Sequence, residues 1–286
     1  MSSTHALKLR LAPWALLLIS ASWGLAFVVM KDAIERQSVN SFLFSRFLMA
    51  VVAMVIFKPS VLKKFNREIL RKGFIAGLFL ASGYILQTLG LALTGAAITG
   101  FITGLYIVAT PLLAAIILKV QIPAFTWGCV AIATVGLGLL SITGWNVGLG
   151  ELLVFLCAIA FAAHIIALSR WSNGLDAYAL TIVQLATCTL LTGLISFGQG
   201  YEVPADLNGW LVVIYTAVIC TAIAFLVQTW AQAHISATKV AVILTMEVVF
   251  AAIFAVIFGG ESLSLRALLG GVLVVIAMFM IVLKEA

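Results

Sequence analysis

Residues 151–168 read ELLVFLCAIAFAAHIIAL. A membrane barrel strand alternates apolar and polar side chains over about ten residues. This stretch is apolar on nearly every face for well beyond that length. Only helices and closed barrels satisfy their backbone in hydrocarbon, so the stretch predicts a helix. Roughly 20 apolar residues are needed to cross a core of about 30 Å, and this run supplies most of them.

The same reading extends outward in both directions. Spans are predicted at 12–30, 40–57, 74–93, 97–118, 125–142, 151–168, 178–197, 209–228, 238–258 and 265–283. The 286 residues are 64% hydrophobic and 9% charged, against about 45–50% apolar and 25% charged in a soluble domain. Lipid must therefore be the solvent. The connections are too short to hold a soluble catalytic domain. The first apolar run follows Lys8 and Arg10 and carries a small-residue SAS patch, as a signal peptide would. A signal core is about 7–15 residues long, and this run continues past Trp23 to Met30, so it is read as the first span.

Counting loops from the N-terminus, one side of the membrane receives Lys8, Arg10, Lys58, Lys63, Lys64, Arg67, Arg71, Lys72, Lys119, Arg170, Lys239 and Lys284. The other receives Lys31, Arg36 and Arg266, and Arg46 lies inside a span, which accounts for all 16 basic residues. Cytoplasmic loops carry the Lys/Arg excess, so both termini are expected in the cytoplasm. The basic run from Lys58 to Lys72 suits anionic headgroups better than nucleic acid, and no nucleic-acid partner is expected. Cys129, Cys157, Cys188 and Cys220 stand singly in apolar spans as small buried residues, with no metal or disulfide spacing.

Division near residue 146 leaves five spans on each side, so the second five start from the opposite face of the membrane. Internal matches support a repeat: Trp23 with Phe161, Met30 with Leu168 and Arg46 with Gln184 at one offset, and YILQT (84–88) with FLVQT (225–229) at nearly the same one. The expected organisation is a first repeat over 1–145 and a second, inverted repeat over 146–286. Inverted repeats with a site at their midplane junction are a design of secondary transporters.

The stretch QTLGLALTGAAITGFITGLYIVATPLL (87–113) resembles the third and fourth helices of the drug/metabolite transporter superfamily in its ten-helix EamA-type branch. The stretch from Trp230 to Met280, with SATKVAVILTMEVVFAAIFAVIFGGESLSLRALLGGVLVVIAM, resembles the ninth and tenth helices, and WGLAFVVMK (23–31) and SRF (45–47) the first two. The resemblance implies a metabolite exporter of a bacterial inner membrane, close to exporters of amino acids and of cationic herbicides such as paraquat. One departure is that the family's Glu-Pro in the ninth helix is here Glu247-Val248, which puts a kink of that helix in doubt. Thr110-Pro111 holds the related place in the fourth.

Charged residues inside a membrane usually face a cavity or pair with each other. Glu247 lies near the midplane of the ninth span, where it is expected either to meet a substrate amine or a proton, or to pair with Arg46. Arg46 is read as structural, since the second helix is peripheral in the family that the chain resembles. Trp23, Phe27 and Lys31 share a face at i, i+4 and i+8. Tyr84 with Gln87, Phe225 with Gln228, and Phe101, Thr103 and Tyr106 supply further aromatic and polar groups. His164, alone within a span, is expected to hydrogen-bond a neighbouring helix. The Gly73/Gly77 and Gly100/Gly104 pairs permit close helix contact without implying a dimer.

The chain has no HExxH, G-x-S-x-G, Walker or histidine-cluster motif, so a membrane-embedded enzyme is disfavoured and no cofactor or metal is expected. A channel built from rings of matching residues and a receptor are weaker alternatives, because neither requires the repeat. The sequence therefore predicts an all-α membrane protein of ten helices in two inverted five-helix repeats around a central cavity. It would export small metabolites, amino acids including aromatic ones first among them, by alternating access, or else organic cations. Trp23, Phe27, Tyr84, Phe101 and Tyr106 would pack the apolar part of the solute. Gln87 and Gln228 would orient it, Glu247 would meet an amine, and His164 is counted with them among the substrate-binding residues. Membrane lipid is the only other partner expected, and the sequence leaves the oligomeric state open.

Overall fold

A computed structural model describes residues 3–91, 93, 96–141, 148–259 and 264–284. The division point near residue 146 lies outside the described residues, as do the side chains of Phe27 and Lys31. Helices account for all ten predicted spans. They are α1 (Ser3–Arg36), α2 (Val39–Phe57), α3 (Arg67–Leu91), α4 (96–118), α5 (Ala124–Ser141), α6 (Leu149–Trp171), α7 (Ala177–Gln199), α8 (Leu207–Gln232), α9 (237–259) and α10 (Leu265–Lys284). Among the described residues, nine are long and apolar enough to cross a membrane by length, and the apolar part of α5, Ala124–Leu139, is a shorter tenth. Helix α3 starts several residues before its predicted apolar core. It draws Arg67, Arg71 and Lys72 into its first turns, where long basic side chains reach the interface while their stems stay in lipid.

The helix pairings map onto themselves when the halves are exchanged. Helix α1 packs on α9 and α6 on α4, α3 on α6 and α8 on α1, and α3 on α7 and α8 on α2, while α2–α7 and α5–α10 are their own counterparts. With five crossings in each half, this is an inverted repeat. Glycines set the closest approaches. A Cβ on Gly77 would lie 2.6 Å from the Thr187 Cβ and 2.8 Å from the Gln184 carbonyl oxygen, so Gly73 and Gly77 seat α3 on α7 within one chain. Gly104 meets the Leu137 side chain, whereas a Cβ on Gly100 would meet nothing within 4 Å.

Three helices are interrupted at membrane depth. Helix α4 breaks at Leu105 (φ −64°, ψ −6°) and α9 at Thr245 (φ −62°, ψ −14°), equivalent places in the two halves. Each break is an i+3 turn, Leu105 to Val108 and Thr245 to Val248. The ninth helix is therefore interrupted without the family's proline. The Thr245 hydroxyl donates to the Val242 carbonyl at 2.6 Å, the kind of local back-bonding that bends helices. In α8, residues Val218–Ile223 form a π turn, a feature often found at functional sites; nothing in the sequence pointed to it.

Candidate substrate cavity

The three interrupted helices, α4, α8 and α9, all contribute lining to one cavity of about 120 Å³, roughly ten times the space that one buried water needs. The π turn reaches it through Arg46 rather than by a lining residue of its own. Of the nine residues singled out in the sequence, Trp23, Tyr84, Gln87, Tyr106, His164, Gln228 and Glu247 line it. Phe101 does not; it packs against the large hydrophobic cluster to which α1, α4, α5, α6, α8, α9 and α10 contribute. It stands two residues from Thr103, which does line the cavity, and positions i and i+2 do not share a helix face.

Arg46, read as structural from the sequence, also lines the cavity, although its helix was expected to be peripheral. Its Nε donates to Thr221 Oγ1 at 2.6 Å and its Nη2 to the Cys220 carbonyl at 3.2 Å. The guanidinium lies 5.6 Å from the Tyr84 ring centroid, within cation–π range. Cys220 belongs to the π turn, and its carbonyl also accepts the Trp23 indole N–H at 2.6 Å. Of the two alternatives for Glu247, the structural pair with Arg46 does not form: no ion pair joins them within 4 Å among the described residues. Glu247 lies within the α9 turn, two residues after Thr245, and its carboxylate makes no hydrogen bond to a described residue.

Aromatic rings form the walls. Tyr84 stands edge-on to Phe47, Phe161 and Phe225, and Trp23 tilts against Phe225 at 5.6 Å. The Phe161 ring lies against Gly83, where a Cβ would come within 2.3 Å of it. Gln87 donates to Thr103 at 3.2 Å. In the second half, His164 Nε2 meets Gln184 Oε1 at 2.8 Å, the neighbour bond expected of a lone intramembrane histidine. Gln228 Nε2 donates to Gln232 Oε1 at 3.1 Å, and its own Oε1 is buried with no partner. Apart from Arg46, the lining that sequence reasoning left out is mostly aliphatic, with Met30, Leu80, Ile165 and Leu244 among it; such residues carry no signal in a chain this apolar. No group of three metal-ligating side chains occurs among the described residues.

Comparison with known proteins agrees with this architecture. The model of the EamA-like transporter family matches twice, over residues 10–142 and 148–283. An uncharacterized transporter of Archaeoglobus fulgidus is 30% identical over 274 residues, covering 96% of this chain and 86% of the relative. A crystal structure with 17% sequence identity superposes with a TM-score of 0.79 over 96% of both chains, a likeness of fold alone.

Proposed function

The chain belongs to the EamA-like transporter family, and from that premise we propose that it exports small amphipathic metabolites, amino acids first among them, by alternating access. The observation that carries the reading is that Arg46 and Glu247 line one cavity without pairing. Intramembrane charges that neutralise each other leave nothing for a solute; held apart, they suit a zwitterion that brings a partner for each. Trp23, Tyr84 and Tyr106 would pack an aromatic or aliphatic side chain, and Gln87 and Gln228 would orient it. Rocking of one five-helix half against the other would expose the cavity to each side in turn. The Lys/Arg-rich end would face the cytoplasm of a bacterial cell, with the protein in its inner membrane.

Organic cations are the second reading, favoured by Glu247 beside the ring faces, which attract cations directly. Growth of cells making the protein, challenged with fluorophenylalanine or with paraquat, tests both. Resistance to the amino-acid analogue that is lost in Arg46→Gln and in Glu247→Ala supports amino acids. Resistance to paraquat that survives Arg46→Gln but not Glu247→Ala supports cations. Resistance to neither contradicts both.

A further inference from the structure

Two glutamines outside the cavity fix the polarity of two groups that line it. The Gln232 amide nitrogen reaches the Ile165 carbonyl at 2.6 Å. A carbonyl only accepts, so that nitrogen must donate and Gln232 Oε1 must accept. Gln228 therefore presents its amide nitrogen to Gln232 and is left with its carbonyl oxygen, buried and unpartnered. Gln184 works the same way on His164. Its Nε2 reaches the Leu180 carbonyl at 3.1 Å, so its Oε1 accepts from His164. In the neutral ring the single proton then sits on Nε2, and Nδ1, which meets no described residue, keeps its lone pair.

Glu247 adds a carboxyl to the same cavity. The polar side chains that line it from the second half of the chain, His164, Gln228 and Glu247, are thus all set to accept, while Arg46, the one cation among the described lining residues, comes from the first half. The repeat is symmetric in backbone but divided in chemistry. A buried acceptor without a partner is costly, and a primary ammonium brings three N–H donors to three acceptors.

Resting on the transport reading above, we propose that Gln184 and Gln232 are positioning residues. They lock His164 and Gln228 as acceptors, so that with Glu247 the second half forms a subsite selective for a primary ammonium group, with the rest of the solute directed towards Arg46.

The test is binding to the purified full chain in detergent, read by thermal shift, of 2-phenylethylamine and its N-methyl, N,N-dimethyl and N,N,N-trimethyl derivatives. All four are cationic under the assay conditions, and only the number of N–H donors falls. The expected result is affinity that drops at each step, by about tenfold or more in all, since a site built around N–H donors rejects analogues lacking them. In Gln232→Leu and Gln184→Leu the amide or ring is free to turn a donor inward, and the preference for the primary amine should shrink towards unity. A variant that does not fold leaves the wild-type series to decide. Equal affinity along the wild-type series overturns the subsite while leaving an amine carrier intact. A steep series unchanged in both variants overturns the role of the two glutamines. Binding of none of the four overturns the transport reading for amines, and the subsite with it.

Discussion

The carbonyl oxygen of Cys220 accepts the indole N–H of Trp23 across the two halves of the chain, at 2.6 Å. An α-helical carbonyl is normally engaged with its own helix; the π turn of α8 lets this one also meet Arg46. Two cavity residues of the first half are thereby anchored on one backbone atom of the second. Trp23→Phe keeps a ring and removes one bond, worth about 0.6 kcal/mol between membrane helices, so transport should fall only about two- to threefold. Arg46→Gln removes the charge and most of the fork and should cost at least about tenfold. Initial uptake rates normalised to protein in the membrane check the ordering.

Gly77 and Gly100 look alike in sequence and differ in space. Gly77→Ala pushes a Cβ against the Gln184 backbone at 2.8 Å, and overpacking of this kind costs about 1–3 kcal/mol. Gly100→Ala meets nothing within 4 Å and should be neutral. Thermal unfolding of the two variants in the same detergent should separate them clearly, with only Gly77→Ala shifted down.

At the Lys/Arg-poor end, Asp206 caps α8 by accepting from the Gly209 N–H at 2.8 Å and pairs with Arg36 at 2.7 Å. The Gly209 N–H first, and the Arg36 guanidinium after it, hold its carboxyl below the usual range. A lowered folded value means that Asp206 contributes fully above the ordinary carboxylate range and loses that contribution as pH falls through its own value. Thermal stability should therefore decline in acid, and Asp206→Asn should flatten that part of the profile. Arg36→Ala should matter less than Asp206→Ala at neutral pH, because a half-exposed ion pair is weak and the cap survives it.

The four native cysteines are buried, so single cysteines placed at Lys64 and at Leu265 can report sidedness against little background. A membrane-impermeant thiol reagent added outside intact cells should label the Leu265 position and spare Lys64. Labelling of Lys64 instead would reverse the proposed orientation.

The spans were legible because nothing but lipid suits such a composition, and Glu247, Gln87 and Gln228 because polar groups stand out in apolar helices. Arg46 was not, since its place was inferred from how peripheral its helix is in the resembling family, and that says nothing of how far a long side chain reaches. The α9 turn was hidden because Thr245 bends the helix through its hydroxyl where a proline would have announced it. The π turn over VICTAI has no compositional mark. Phe101 and Thr103 were read together in the sequence, but a step of two residues along one helix puts them on different faces, and only Thr103 lines the cavity.

In the proposed mechanism, one cavity, holding Arg46 and Glu247 apart, carries a zwitterion across the membrane. The most direct measurement is uptake of labelled phenylalanine into liposomes containing the purified protein, with and without a pH gradient, compared with Glu247→Ala. Saturable uptake that is abolished in the variant, while the variant still unfolds at the wild-type temperature, is the predicted result. Uptake that continues undiminished in Glu247→Ala would contradict it.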